Sequence, residues 1–129
     1  MANSWPNHRR IGGRVGAAQP GWHVVGGQRI YFRSKAELRH AQRLEWQRTA
    51  GVVASWEHEP RRFDFPIKRG NNSYLPDFRV VYPDGRVEWH EVKGWLDPAS
   101  KVKLRRMAKF YPDEVLRVIG ARWPENKSP

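Results

Sequence analysis

Residues 74–94, YLPDFRVVYPDGRVEWHEVKG, constrain this chain more than any other stretch, because they set both a hairpin and its register. Two runs of strand-forming residues flank the turn signal Pro83-Asp84-Gly85, which predicts strands near 75–82 and 86–93. A two-residue Asp84-Gly85 loop would pair Tyr82 with Val87 and set Asp77 opposite Val92. A three-residue loop, a type I turn with Gly85 in the left-handed position, pairs Tyr82 with Arg86 and Asp77 with Glu91. Pro83 suits the first turn position and Gly85 the last, so the second register is preferred. Asp77 and Glu91 then share one face with Cβ atoms about 4.5–5.5 Å apart. Lys93 returns to that face two residues later. Like charges so placed destabilise a sheet unless a cation or a proton lies between them. The pattern predicts a socket for a divalent ion.

The chemistry of such a socket is specific. Mg²⁺ takes hard oxygen ligands, one or two of them carboxylates, and leaves positions for water and phosphate oxygens. It lowers the pKa of a bound water and neutralises charge at phosphorus. Lys93 would orient the attacking water or stabilise the developing charge. The whole chain points to the same partner. Its 129 residues carry a net charge of +11, and residues 1–33 hold Arg9, Arg10, Arg14, Arg29 and Arg33 with no acid. That surface attracts phosphate backbones. A membrane partner is not expected, because no segment pairs a basic face with a large aromatic one and the apolar runs are short. The absence of cysteine removes disulfides, thiolate zinc sites and thiol nucleophiles, and fits a reducing compartment.

The rest of the chain reads as one domain between two tails. Residues 1–28 are Gly-rich and basic, expected to be an extended arm. Residues 34–51 form a helix, with Ser34 as N-cap, Glu37 at the capping-box position and Gly51 as the stop. Strands follow at 52–60 and 61–67, then the hairpin. Asp97 caps a second helix with Pro98 in its first turn, and Leu104, Met107, Ala108 and Tyr111 make its core stripe. Residues 115–120 are a last strand, and 122–129 a loose tail. Trp46 and Trp56 are expected in the core, with Trp89 and Trp95 bracketing the hairpin site. The fold class is α/β: one central sheet flanked by helices.

The residues Pro76-Asp77 followed by Glu91-Val92-Lys93, with Gly94 directly after, resemble the PD-(D/E)XK phosphodiesterase superfamily. RSKAELRHAQRL and the YLPDF…EVKG block are similar to small phage- and prophage-encoded endonucleases, including relatives of Holliday-junction resolvases. The resemblance implies a restriction-endonuclease-like α-β-β-β-α-β core with a mixed sheet over residues 29–121, the arm lying outside it. It implies a Mg²⁺-dependent DNA endonuclease, with Mn²⁺ substituting, acting on branched or nicked DNA in phage DNA processing. The expected place is the cytoplasm of a bacterial host. Asp77, Glu91 and Lys93 would be catalytic. Glu37 would be a third acid in the metal shell, unless it serves only as a helix cap. Lys101, Lys103, Arg105 and Arg106, with Arg33 and Lys35, would hold the DNA backbone, although a solvated helix face explains Lys101 and Lys103 equally. Junction resolution would call for a homodimer, and nicking for a monomer. A non-cleaving nucleic-acid-binding module on the same fold is the alternative.

Overall fold

A computed structural model describes residues 19–124. The chain divides after Trp46 into two units, a boundary inside the stretch 29–121 that the sequence presents as one domain.

In the first unit, β1 (Gly21–Val25) and β2 (Gln28–Phe32) pair antiparallel around Gly26-Gly27. Both glycines have positive φ, 61° and 79°, as a type I′ turn requires. This corrects the expected arm at 1–28: its last residues form a hairpin strand and turn, because a glycine pair between two β-prone runs folds the chain back. Arg9, Arg10 and Arg14 lie outside the described residues. On the exposed side of the hairpin, Trp22 and Tyr31 meet edge to face at 5.5 Å, and the Arg29 guanidinium lies 4.3 Å from the Trp22 ring.

The helix α1 (Lys35–Thr49) starts where its cap predicts, with the Glu37 N–H donating to Ser34 Oγ at 3.1 Å. It stops at Gly51, whose φ is 81°. The Gly51 N–H donates to the Arg48 carbonyl and the Val52 N–H to the Gln47 carbonyl, a Schellman pattern. Trp46 departs from expectation and is 69% exposed. It sits two residues past the buried Leu44, which turns it about 200° around the helix.

The second unit holds β3 (Ser55–His58), β4 (Phe63–Asp64), β5 (Ser73–Tyr74), β6 (Phe78–Val81), β7 (Val87–Lys93), α2 (Pro98–Phe110) and β8 (Val115–Gly120). Its main sheet runs β3-β6-β7-β8. The first three strands are antiparallel neighbours, and β7 and β8 are parallel. The parallel pair needs a long crossover, which α2 supplies. The described residues are therefore mixed α/β, with a central mixed sheet and two helices.

The expected strand at 61–67 shrinks to two residues and leaves the central sheet, pairing instead with β5. Pro60 and Pro66 explain this, since neither can donate to a ladder. The side chains of this segment still reach the core. Phe63 is fully buried, edge to face with Trp89 at 5.0 Å and with Tyr111 at 4.9 Å. Leu104 and Met107 of α2 join the same cluster with Trp89 and Val118, so α2 packs on that face of the sheet. Tyr111 packs against the cluster as expected, whereas Ala108, expected in the stripe, is exposed and Phe110 packs there instead. The opposite face buries Trp56, Phe78 and Val80. Among the described residues no helix is long and apolar enough to cross a membrane.

Candidate active site

The hairpin closes in the three-residue form. The Gly85 N–H donates to the Tyr82 carbonyl and the Tyr82 N–H to the Arg86 carbonyl, each at 2.9 Å, with Gly85 at φ 93°. Val81 pairs with Val87 and Phe78 with His90, so one step further along this register sets Asp77 against Glu91. Tyr82 and Arg86 are a hydrogen-bonded pair, and alternation makes Asp77 and Glu91 a non-hydrogen-bonded one. In such pairs the Cα atoms approach to about 4.5 Å and the side chains stand closest.

Three contacts hold the two acids in place. The next position on the first strand is Pro76, which has no N–H to give, and the ladder ends there. The Asp77 side chain takes over, accepting the Val92 N–H on Oδ2 at 2.8 Å. The Asp77 carbonyl accepts the Glu59 N–H at 2.8 Å, which extends the β3–β6 pairing by one residue. Glu91 is 8% exposed, and the buried Tyr74 hydroxyl donates to its Oε1 at 2.7 Å. Burial first, then the Glu91 carboxylate, pushes the Tyr74 pKa well above its ordinary value, and Asp77 adds to the push. One hydroxyl feels both carboxylates. The two acids therefore share a neighbourhood, as the period of two requires.

Lys93 lies on that same face, half-buried at the end of β7, and makes no ion pair among the described residues. Its main chain is pinned by β8: Gly120 is its parallel partner, and a Cβ there would stand 2.7 Å from the Lys93 carbonyl oxygen. Gly120 also has φ 109°, so glycine is required on both counts. Just beyond, the Ser100 N–H donates to Asp97 at 2.7 Å and caps α2. Hydrogen bonds from Ser100 hold the Asp97 pKa below its usual value, helped by the ammonium groups of Lys93 and Lys103.

Other expected residues fall into distinct places. Glu37 belongs to the first unit, is buried, and accepts the Arg33 N–H at 3.0 Å, so it has a capping role. Arg33 and Lys35 are exposed at the start of α1, and Lys101 and Arg105 are exposed on α2. Lys103 is partly buried. Arg106 is engaged, donating to the carbonyls of Gly70 and Asn71 and holding that turn. Trp95 is 71% exposed next to Gly94, whereas Trp89 is core.

The sequence does not announce Tyr74 as part of this site. Its one signal is its place three residues before Asp77, and only the pairing of β4 with β5 reveals its aim. Tyr74→Phe is expected to lower unfolding stability by about 1–3 kcal/mol, because a buried carboxylate loses its donor. Urea unfolding of the two proteins measures this. No known protein family, curated protein or solved structure gives a significant match to the chain.

Proposed function

We propose that this protein is a divalent-metal-dependent DNA endonuclease built on a restriction-endonuclease-like core. The observation that carries the reading is the opposition of Asp77 and Glu91 in a non-hydrogen-bonded pair, with Lys93 next on the same face. Asp77 and Glu91 would hold Mg²⁺ or Mn²⁺, and Glu37 enters as a third acid through the family resemblance alone. A bound ion would supply an activated water and neutralise charge on the phosphodiester. Lys93 contributes a point charge beside the phosphate and orients the attacking water. Tyr74 fixes one Glu91 oxygen, which orients the carboxylate as outer partners of metal ligands do. The main-chain N–H of Val92 does the same for Asp77.

The exposed cations Lys101 and Arg105, with Lys103, Arg33 and Lys35, would meet the DNA backbone without reading sequence, so affinity falls steeply with salt. If the resemblance to phage-encoded enzymes holds, the activity would belong to a bacterial cytoplasm and act on branched or nicked DNA. The second reading, a non-cleaving binding module, has one observation in its favour. Asp77, Glu91 and Glu37 each have a partner that a purely structural role explains.

Incubation with supercoiled plasmid and with a four-way junction, in Mg²⁺, Mn²⁺ or EDTA, separates the two. Cleavage in metal, lost in EDTA and in Lys93→Ala, is the expected result. Binding without cleavage under any of these ions would establish the module instead.

A further inference from the structure

We propose that the groove between α2 and the segment after β8 binds an unpaired stretch of DNA, with Trp123 as the platform on which a base stacks. The choice of DNA rests on the nuclease reading above, and the groove narrows the substrate to DNA with a single-stranded segment, such as a flap, a gap or a branch.

The groove is an open cleft of about 1000 Å³. One wall is α2, where Lys101 and Arg105 stand four residues apart and so project from one side of the helix. The other wall is the chain leaving β8, with exposed Arg122 and partly buried Trp123. Among the described residues no carboxylate lines it. Three cations around one opening repel one another, and a polyanion relieves that repulsion. The two guanidinium groups match phosphate oxygens in their planar forks.

Trp123 supplies what a simple phosphate clamp lacks. Trp123 is partly buried against the core cluster that holds Phe63, Trp89 and Met107, and it also lines the groove. A ring held in this way stacks a base with little loss of side-chain entropy. Cations interleaved with an aromatic platform are the chemistry of single-strand binding, where each stacked base contributes about 1–3 kcal/mol. An intact duplex hides its base faces and gains nothing from the ring.

The position of the groove connects it to the candidate site. Its floor includes Gly120, the parallel partner of Lys93, and a Cβ at Gly120 would also lie 3.8 Å from the Gly94 Cα. A strand whose phosphate rests at Lys93 would pass Gly120 to reach the groove. The tail that the sequence presents as loose thus forms a wall of a basic channel up to Pro124.

The test is fluorescence anisotropy with the full chain in EDTA, so that binding is read without cleavage. The probes are a labelled oligothymidylate, the same oligomer with abasic positions, its RNA counterpart and a blunt duplex. Trp123→Ala should weaken oligothymidylate binding roughly 5- to 150-fold, the stacking term for one base, and change duplex binding less than twofold. Trp123→Phe should restore most of the loss. Arg122→Ala should reduce the slope of log affinity against log salt by about 0.7 on the single strand. Because Trp123 also touches the core, the abasic oligomer gives the same test on the unmutated protein: it should bind the wild type as weakly as oligothymidylate binds Trp123→Ala. Equal binding of abasic and normal oligomers, or equal losses on single strand and duplex, overturns the proposal. Tighter binding of the RNA oligomer overturns its choice of DNA. A protein that shows the groove signature but never cuts refutes the nuclease reading alone, and one that cuts but ignores Trp123 refutes the groove alone.

Discussion

Changing Asp77 to Asn, or Glu91 to Gln, is expected to cut Mg²⁺-dependent cleavage about a thousandfold or more while the protein stays folded. A metal that activates water and neutralises phosphate charge supplies several kcal/mol at the transition state, and each 1.36 kcal/mol is a factor of ten. The amide variants remove charge and keep shape. Asn at 77 can still accept the Val92 N–H through its side-chain oxygen, and Gln at 91 can still accept the Tyr74 hydroxyl. The structural roles survive while the electrostatic one is lost. The sign of the stability change is a second check. Opposed like charges destabilise a sheet, so in EDTA each variant should melt at or above the wild-type temperature. With metal added, the wild type should gain stability through binding and the variants should not. Full cleavage by either variant, or a wild type whose melting temperature ignores metal, would remove the support for the enzyme.

The parts of this site that the sequence revealed are the ones governed by local rules. Gly85 in a Pro-Asp-Gly turn forces a register, and the register alone brings Asp77 to Glu91. Asp97 before Pro98 announces α2, and Gly51 announces the end of α1. What stayed hidden depends on partners remote in the chain. Tyr74 reaches Glu91 only because the Pro-flanked segment around Phe63 folds as a separate ribbon. The groove exists only because Gly120 lets β8 run tight against Lys93 and carries Arg122 and Trp123 past α2. Gly26-Gly27 between VV and QRIYF is itself a two-residue hairpin signal, so the first hairpin is legible in the sequence by a local rule as well.

The largest stability loss from a polar residue is expected at Glu88, on the face of β7 opposite Glu91. Its carboxylate, 7% exposed, accepts the Tyr82 hydroxyl at 2.9 Å, His90 Nε2 at 3.0 Å and Arg117 Nε at 3.1 Å. The parallel register sets Arg117 beside His90, so two strand residues and a turn tyrosine converge on one acid. An ionised carboxylate only accepts, and His90 must therefore carry its proton on Nε2. Glu88→Ala strips the acceptor from all three donors and should cost about 3 kcal/mol, since removing one partner of a buried pair is far worse than never having had it. For a chain of this size that is a fall of roughly 10 °C in melting temperature. The pH dependence follows from the same contacts. Burial lowers the His90 pKa, against the opposing pull of Glu88, so the unfolded chain takes up this proton first. His90 therefore contributes stability that is complete above its unfolded pKa, near 6.5, and is lost as pH falls through the folded value. Burial raises the Glu88 pKa, but bonds from His90, Tyr82 and Arg117 outweigh it and leave the pKa lowered. That second increment is present above 4.5 and disappears below it. Urea unfolding from pH 7.5 to 4 should show stability declining in two stages, with the first shallower in His90→Gln. A wild-type profile that is flat between pH 7 and 5 would mean that burial does not govern His90, and the cluster would then be a surface ornament rather than the polar anchor of the sheet.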